Sequence, residues 1–164
     1  MANRGTYFAA TGAIAGSVVA QNLLSIENPV ASPSRVFLRR VRAQSASTVA
    51  TIVFWYKLTR TVGMPTLGVV LPAVLHTTSD FAPQAIVRSS PTAVSTGDTA
   101  TLLTPGALIT AAGDAPSTIY PVFDSVSEDD AMILDPGEAA VIIAIANLVT
   151  INHFIDIMWG ESFA

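Results

Sequence analysis

Few residues in this 164-residue sequence are of types that do chemistry, and they are scattered. His76 and His153 could each act as a general base or a metal ligand. Neither has a carboxylate or a second histidine at a ligand spacing, so both read as structural or surface histidines. Asp124, Glu128, Asp129 and Asp130 could offer oxygens to Ca²⁺, but their spacing is not that of an EF-hand loop and lacks its glycine. They read as a solvated acidic loop. The chain has no cysteine, hence no disulfide, thiolate nucleophile or cysteine-based metal site. It also lacks a phosphate-cradling Gly-rich loop, a nucleophile elbow, His-Glu-x-x-His, a dinucleotide fingerprint and an Asn-x-Ser/Thr acceptor. We expect no enzyme, cofactor or metal centre.

What remains is the chemistry of recognition. Arg35, Arg39, Arg40 and Arg42 fall within eight residues and suit carboxylates across an interface. Tyr7, Phe8, Trp55 and Trp159 are aromatic candidates for the same interface. The two tryptophans could instead stack on sugars or pack in a core. Nucleic acid is not the expected partner, because the chain is net −4 and has no basic stripe interleaved with aromatics. Charge is segregated: residues 1–60 hold seven cations and the one acid Glu27, while the remainder holds Arg88 and eleven acids. The two halves can pair within the fold or between neighbouring copies.

The elements that position these groups are strands. Thr (17), Val (17) and Ile (13) dominate, whereas Glu, Gln and Lys total 8, so a helical bundle is excluded. The chain is 51% hydrophobic and 12% charged, against roughly 25% charged in an ordinary domain. Its surface is therefore short of charge, and burial in a homo-oligomer or larger assembly is expected.

Strands are expected at 17–27, 35–43, 48–59, 84–89, 99–104 and 117–124. Asn28-Pro29, Gly97-Asp98, Pro105-Gly106 and Gly113-Asp114 serve as turns. In 35–43, strict alternation sends Arg35, Phe37, Arg39 and Val41 one way and Val36, Leu38, Arg40 and Arg42 the other. The strand 48–59 is apolar on both faces and should be covered on both sides. Residues 63–83, with Pro65, Pro72 and Pro83, form a long connection of the kind used for assembly. Met132–Leu134 leads into the Asp135-Pro-Gly-Glu138 turn, and 139–146 with 150–161 forms a terminal hairpin-like pair. In that last strand His153, Ile155, Ile157 and Trp159 share a face opposite Phe154, Asp156 and Met158.

Eight or so strands between Gly/Pro turns predict an all-β, antiparallel β-sandwich, a jelly roll by preference. Residues 1–16 are expected as an N-terminal arm clamped by a neighbouring subunit, the alternative being an edge strand, and 17–164 as the sandwich domain. Polar and glycine interruptions between Gly5 and Ile26 argue against a cleaved signal peptide and a membrane span.

The layout of Asn22-Leu-Leu-Ser-Ile-Glu-Asn-Pro29, an Arg-rich strand, Val53-Phe-Trp-Tyr56, Leu134-Asp-Pro-Gly-Glu138 and Ile157-Met-Trp-Gly-Glu161 resembles small β-sandwich proteins of tailed-bacteriophage virions. The resemblance implies a capsid decoration, or cement, protein on the capsid surface. Such proteins are often trimeric, bind the major capsid protein or another virion protein, and reinforce the head. Two other readings compete with it. One is a tail or filament subunit held through the N-terminal arm, and the other a carbohydrate- or receptor-binding module.

Overall fold

A computed structural model describes residues 4–17, 19–47, 52–62, 65–76, 81–91, 98–108, 119–125, 130–145 and 151–163. They form strands and no helix: β1 (Arg4–Ala10), β2 (Ile14–Ala15), β3 (Gln21–Glu27), β4 (Ser34–Ser47), β5 (Ile52–Val62), β6 (Val69–Leu71), β7 (Val74–Leu75), β8 (Ile86–Ser89), β9 (Asp98–Leu108), β10 (Ile119–Asp124), β11 (Met132–Leu134), β12 (Glu138–Ile145) and β13 (Ile151–Phe163). Two antiparallel sheets pack face to face, as the Thr/Val/Ile-rich composition predicts. Sheet A runs β10-β4-β13-β1-β7, with β11 also on β4 and β2 also on β13. Sheet B runs β6-β8-β3-β12-β5-β9.

The spine is the long pairing of β4 with β13, from Ser34↔Phe163 to Ser47↔Ile151. The period-two rule works cleanly in β13. Ile151, His153, Ile155, Ile157, Trp159 and Glu161 point inward and are buried, while Phe154, Asp156 and Met158 point outward. Leu24, Ile26, Tyr56, Leu58, Ala140, Ile142 and Ala144 of sheet B meet them. Each large apolar side chain so buried stabilises the fold by about 1.5–3 kcal/mol. On the other face of sheet B, Ser25, Ala139, Val141 and Thr59 are also buried.

The core contains polar anchors. Trp159 stacks on Tyr7 with ring centroids 5.6 Å apart. The Trp159 Nε1–H donates to Glu161 (3.1 Å), which also accepts the backbone N–H groups of Gln84 and Ala85, each at 2.9 Å. The Tyr7 hydroxyl donates to the Phe81 carbonyl (2.8 Å), so both groups lace residues 81–85 to sheet A. Gly5 leaves room for this arrangement, because a Cβ there would fall on the Tyr7 phenol.

The Asp135–Glu138 turn forms as expected, with Gly137 at φ 90° and the Glu138 N–H donating to the Asp135 carbonyl (3.0 Å). Asn28 ties it to the β3–β4 turn, donating from Nδ2 to the Ser34 and Leu134 carbonyls, each at 2.9 Å.

Four expectations are corrected. The described part of 1–16 does not reach away as an arm. β1 lies between β13 and β7, with Tyr7 and Ala9 alternating into the core. The hairpin of 139–146 with 150–161 does not form, because β12 takes both its neighbours, β3 and β5, from sheet B, and β13 takes β4 and β1 from sheet A. Pro105-Gly106 is not a turn but lies within β9, opposite Trp55 and Phe54. β9 ends the sheet, so the missing proline N–H costs no second ladder. The connection 63–83 contributes β6 to the edge of sheet B and β7 to the edge of sheet A, with Leu67 (φ 63°) and Gly68 (φ 87°) left-handed just before β6.

Burial lowers the His153 pKa from 6.5 to about 4. Its Nδ1 lies 3.1 Å from the Tyr56 hydroxyl. As pH falls, the unfolded chain takes up this proton before the folded one does. Stability from the neutral imidazole is complete above pH 6.5 and is lost down to about pH 4, amounting to about 3 kcal/mol. Urea unfolding from pH 7 to 5, above the carboxylate range, should show this loss, and His153→Gln should flatten it. An unchanged slope in the variant would assign the acid sensitivity elsewhere.

Candidate functional site

The expectation that the arginines of β4 divide between two faces is wrong, for a local reason. Met158 pairs with Arg40 but Trp159 pairs with Leu38, leaving Arg39 as one extra residue in β4. This β-bulge resets the alternation. Val36 and Leu38 point inward before it, and Val41 and Ala43 after it. Arg35, Arg39, Arg40 and Arg42 consequently all lie on the outer face of sheet A. Backbone and packing both fit the bulge. The Arg39 carbonyl accepts the Ser125 N–H (2.8 Å), and a Cβ on Gly160 would come within 3.3 Å of the Arg39 guanidinium.

The arginines stand among apolar groups. In register across the sheet, Arg40, Met158, Phe8 and Val74 form one row, and Pro121, Arg42, Asp156 and Ala10 the next. Phe37 and Phe154 flank these rows, both half-buried on the same face. A groove of about 330 Å³ follows them, with Phe8, Ala10, Val74, Arg40, Arg42 and Asp156 in its walls. A second hollow of about 230 Å³ continues past Ala10 and Asp156 towards Gln44 and Phe154. At the β7 end the face passes into an apolar corner where Leu67, Val69, Val70, Val74 and Leu75 are exposed, Val69 at 69%.

The ion pairs differ in kind. Arg42 Nε contacts both Asp156 oxygens at 2.9 and 3.1 Å. Arg35 bridges Asp135 at 2.8 Å in an exposed position, a contact worth little. Arg40 makes no hydrogen bond or ion pair with any described residue, and its Nε is shielded from solvent. Asp124 stands opposite Arg40 on β10, is exposed, and forms no bridge to it. Two further pairs lie away from this face. Arg60 bonds Glu138 at 2.6 Å. Burial raises the Glu138 pKa, but Arg60 and the Asp135 N–H outweigh it and hold the carboxyl below its ordinary value. Glu27 contacts Arg88 at 3.1 Å and accepts from the Ser25 hydroxyl, yet burial pushes its pKa up.

Of the aromatic candidates, Phe8 lines the groove. Tyr7 and Trp159 are corrected: both are buried, because they fall on the inward positions of β1 and β13. Trp55 has its backbone in β5 opposite Ile145 and Pro105, and its side chain lies outside the described part. His76 is exposed, its ring 5.7 Å from that of Phe8. Residues 126–129, hence Glu128 and Asp129, are outside the described residues. Among the described residues no group of three His, Asp or Glu side chains is placed to hold a metal, and no helix is long and apolar enough to cross a membrane. Phe37, Phe154 and Met158 were missed as surface candidates, and the alternation of β13 could have indicated the last two.

If Arg39 is the extra residue of the bulge, deleting it joins Leu38 to Arg40 in regular alternation and keeps Val36, Leu38, Val41 and Ala43 inward. That deletion should fold and cost about 2 kcal/mol or less, whereas deleting Arg42, an ordinary ladder residue, puts Val41 and Ala43 on opposite faces and should cost more than about 4 kcal/mol or prevent folding. Urea midpoints of the two proteins make the comparison, and equal midpoints would remove the bulge from the account.

No protein-family model, curated protein or solved structure matches this chain.

Proposed function

We propose that the chain is a structural virion protein of the capsid-decoration kind, a homo-oligomer, with a trimer favoured, that acts by binding the major capsid protein or another virion protein on the capsid surface. The observation that carries the reading is the outer face of sheet A. It gathers four guanidinium groups among Phe8, Phe37, Phe154 and Met158, and continues into the exposed apolar corner at β6 and β7. Aromatic residues, Met and Arg are the types enriched at protein interfaces. A chain with 20 charged side chains and a grooved face of this kind is suited to stand against another protein.

The jelly-roll reading has support in strand order. The eight strands of six or more residues fall as β10-β4-β13-β1 in one sheet and β3-β12-β5-β9 in the other. First and last strands lie side by side, and successive long strands change sheets except β5 and β9, which pair with each other in sheet B, an order that suits two interleaved Greek keys. The filament alternative loses its stated device, since β1 completes the sheet of its own chain. The sugar-binding alternative loses one of its two platforms with the burial of Trp159.

Mixing purified protein with DNA-emptied heads assembled without it tests the reading by co-sedimentation. Binding should saturate, and Phe8→Ser with Arg40→Glu should weaken it at least about tenfold while the melting temperature of the free protein holds. Absence of binding, or binding indifferent to the double substitution, would overturn the assignment of this face.

A further inference from the structure

The groove on sheet A has one cation more than its own acids neutralise. Arg42 is engaged by Asp156, whose two oxygens both lie within 3.1 Å of its Nε. Arg40, one row away, has no partner among the described residues, and Asp124 across the strand does not bridge to it. A carboxylate entering the groove that Arg40 lines would give this unpaired guanidinium a charge-assisted bond. A guanidinium is shaped to take a carboxylate in two parallel bonds.

The surroundings narrow the source of the carboxylate. Phe8, Ala10 and Val74 wall the groove. A second hollow, reaching Thr11, Gln44 and Phe154, prolongs it along β13, so the receiving surface is elongated and is apolar at its Phe8 and Val74 end. A free small anion would meet only Arg40 and leave those walls unused. A peptide segment with aliphatic residues on either side of an Asp or Glu would fill both.

Extending the proposed docking role, and resting on it, we propose that Arg40 is the receptor for a carboxylate carried by an acidic, aliphatic segment of the protein partner, laid in the groove between β1, β13 and β4. Arg42 and Asp156 act as positioning residues: their mutual bond neutralises Asp156, which would otherwise repel the incoming acid. Arg40 supplies the specificity, and Phe8 and Val74 supply the apolar contact.

The probe is an acetylated, amidated pentapeptide, Ala-Val-Glu-Val-Ala, with the Gln version as control. Each is titrated at low salt into the full-length ¹⁵N-labelled chain while the arginine Nε–H resonances are followed by NMR. The resonance lost in Arg40→Lys identifies Arg40. The Glu peptide should shift that resonance saturably and the Gln peptide should not. Arg40→Gln should abolish the response of the groove amides, and Arg40→Lys should weaken it about tenfold by removing the paired bonds. Asp156→Asn, which keeps the shape of the groove but removes its own carboxylate and frees Arg42, should tighten binding of the Glu peptide severalfold, and unchanged binding would remove Asp156 and Arg42 from the positioning role. Equal response to both peptides, no response to either, or a response undiminished in Arg40→Gln would each overturn the inference. The docking role is scored separately in the head-binding assay. If Arg40→Gln binds heads like the wild type while Phe8→Ser does not, the face stands and the carboxylate receptor falls.

Discussion

One constraint governs this molecule: β13 is a strand of strict alternation running through the middle of a sheet, so its inward residues must be core and its outward residues must be surface. Ile151, Ile155, Ile157 and Trp159 meet the demand on one side, and Phe154, Asp156 and Met158 are left on the other. Both neighbours are bound to that choice. β1 follows it directly, placing Tyr7 and Ala9 inside and Phe8 outside. β4 can follow it only by adding a residue at Arg39, because Val36-Phe-Leu38 and Val41-Arg-Ala43 carry their apolar residues on opposite parities. The bulge thus satisfies the core, and its by-product is a surface on which Arg39 and Arg40, adjacent in sequence, emerge on the same side.

The buried polar residues serve position more than stability. Glu161 is buried but accepts from Trp159 and from two backbone N–H groups, so its desolvation is answered by donors that themselves need an acceptor. Glu27 is less well served. Desolvation raises its pKa despite Ser25 and Arg88, a pair that holds β3 to β8 without adding much free energy. His153 stays neutral in the core and makes the fold sensitive to mild acid. Glu161 and Glu27 thereby fix the 81–85 segment and β8, the elements beside the apolar corner of β6 and β7.

Much of the fold was legible in the sequence, because strands are announced by composition and by Gly/Pro punctuation. The 135–138 turn and the two faces of β13 were readable residue by residue. Which strands pair was not. Periodicity cannot distinguish a hairpin from two strands in separate sheets, and 139–146 and 150–161 fit either. Nor could it show that Pro105 would be tolerated, since that depends on β9 ending its sheet. The arginines were recognised as candidates but their common face was hidden, because a bulge depends on what β13 demands of β4. The aromatic candidates divided by parity: Phe8 is outward, while Tyr7 and Trp159 are inward, for which the inward face of β13 was already a sign.

The central claim is that the outer face of sheet A is covered when the protein is in its assembly. Hydroxyl-radical footprinting read by mass spectrometry addresses it directly on the unmodified chain, free and bound to heads. Met158, Phe8, Phe37 and Phe154 should be oxidised in the free protein and protected in the bound one. Val30, exposed at the β3–β4 turn, should react alike in both. Equal oxidation of Met158 and Phe8 in the two states, with protection appearing elsewhere, would contradict the account.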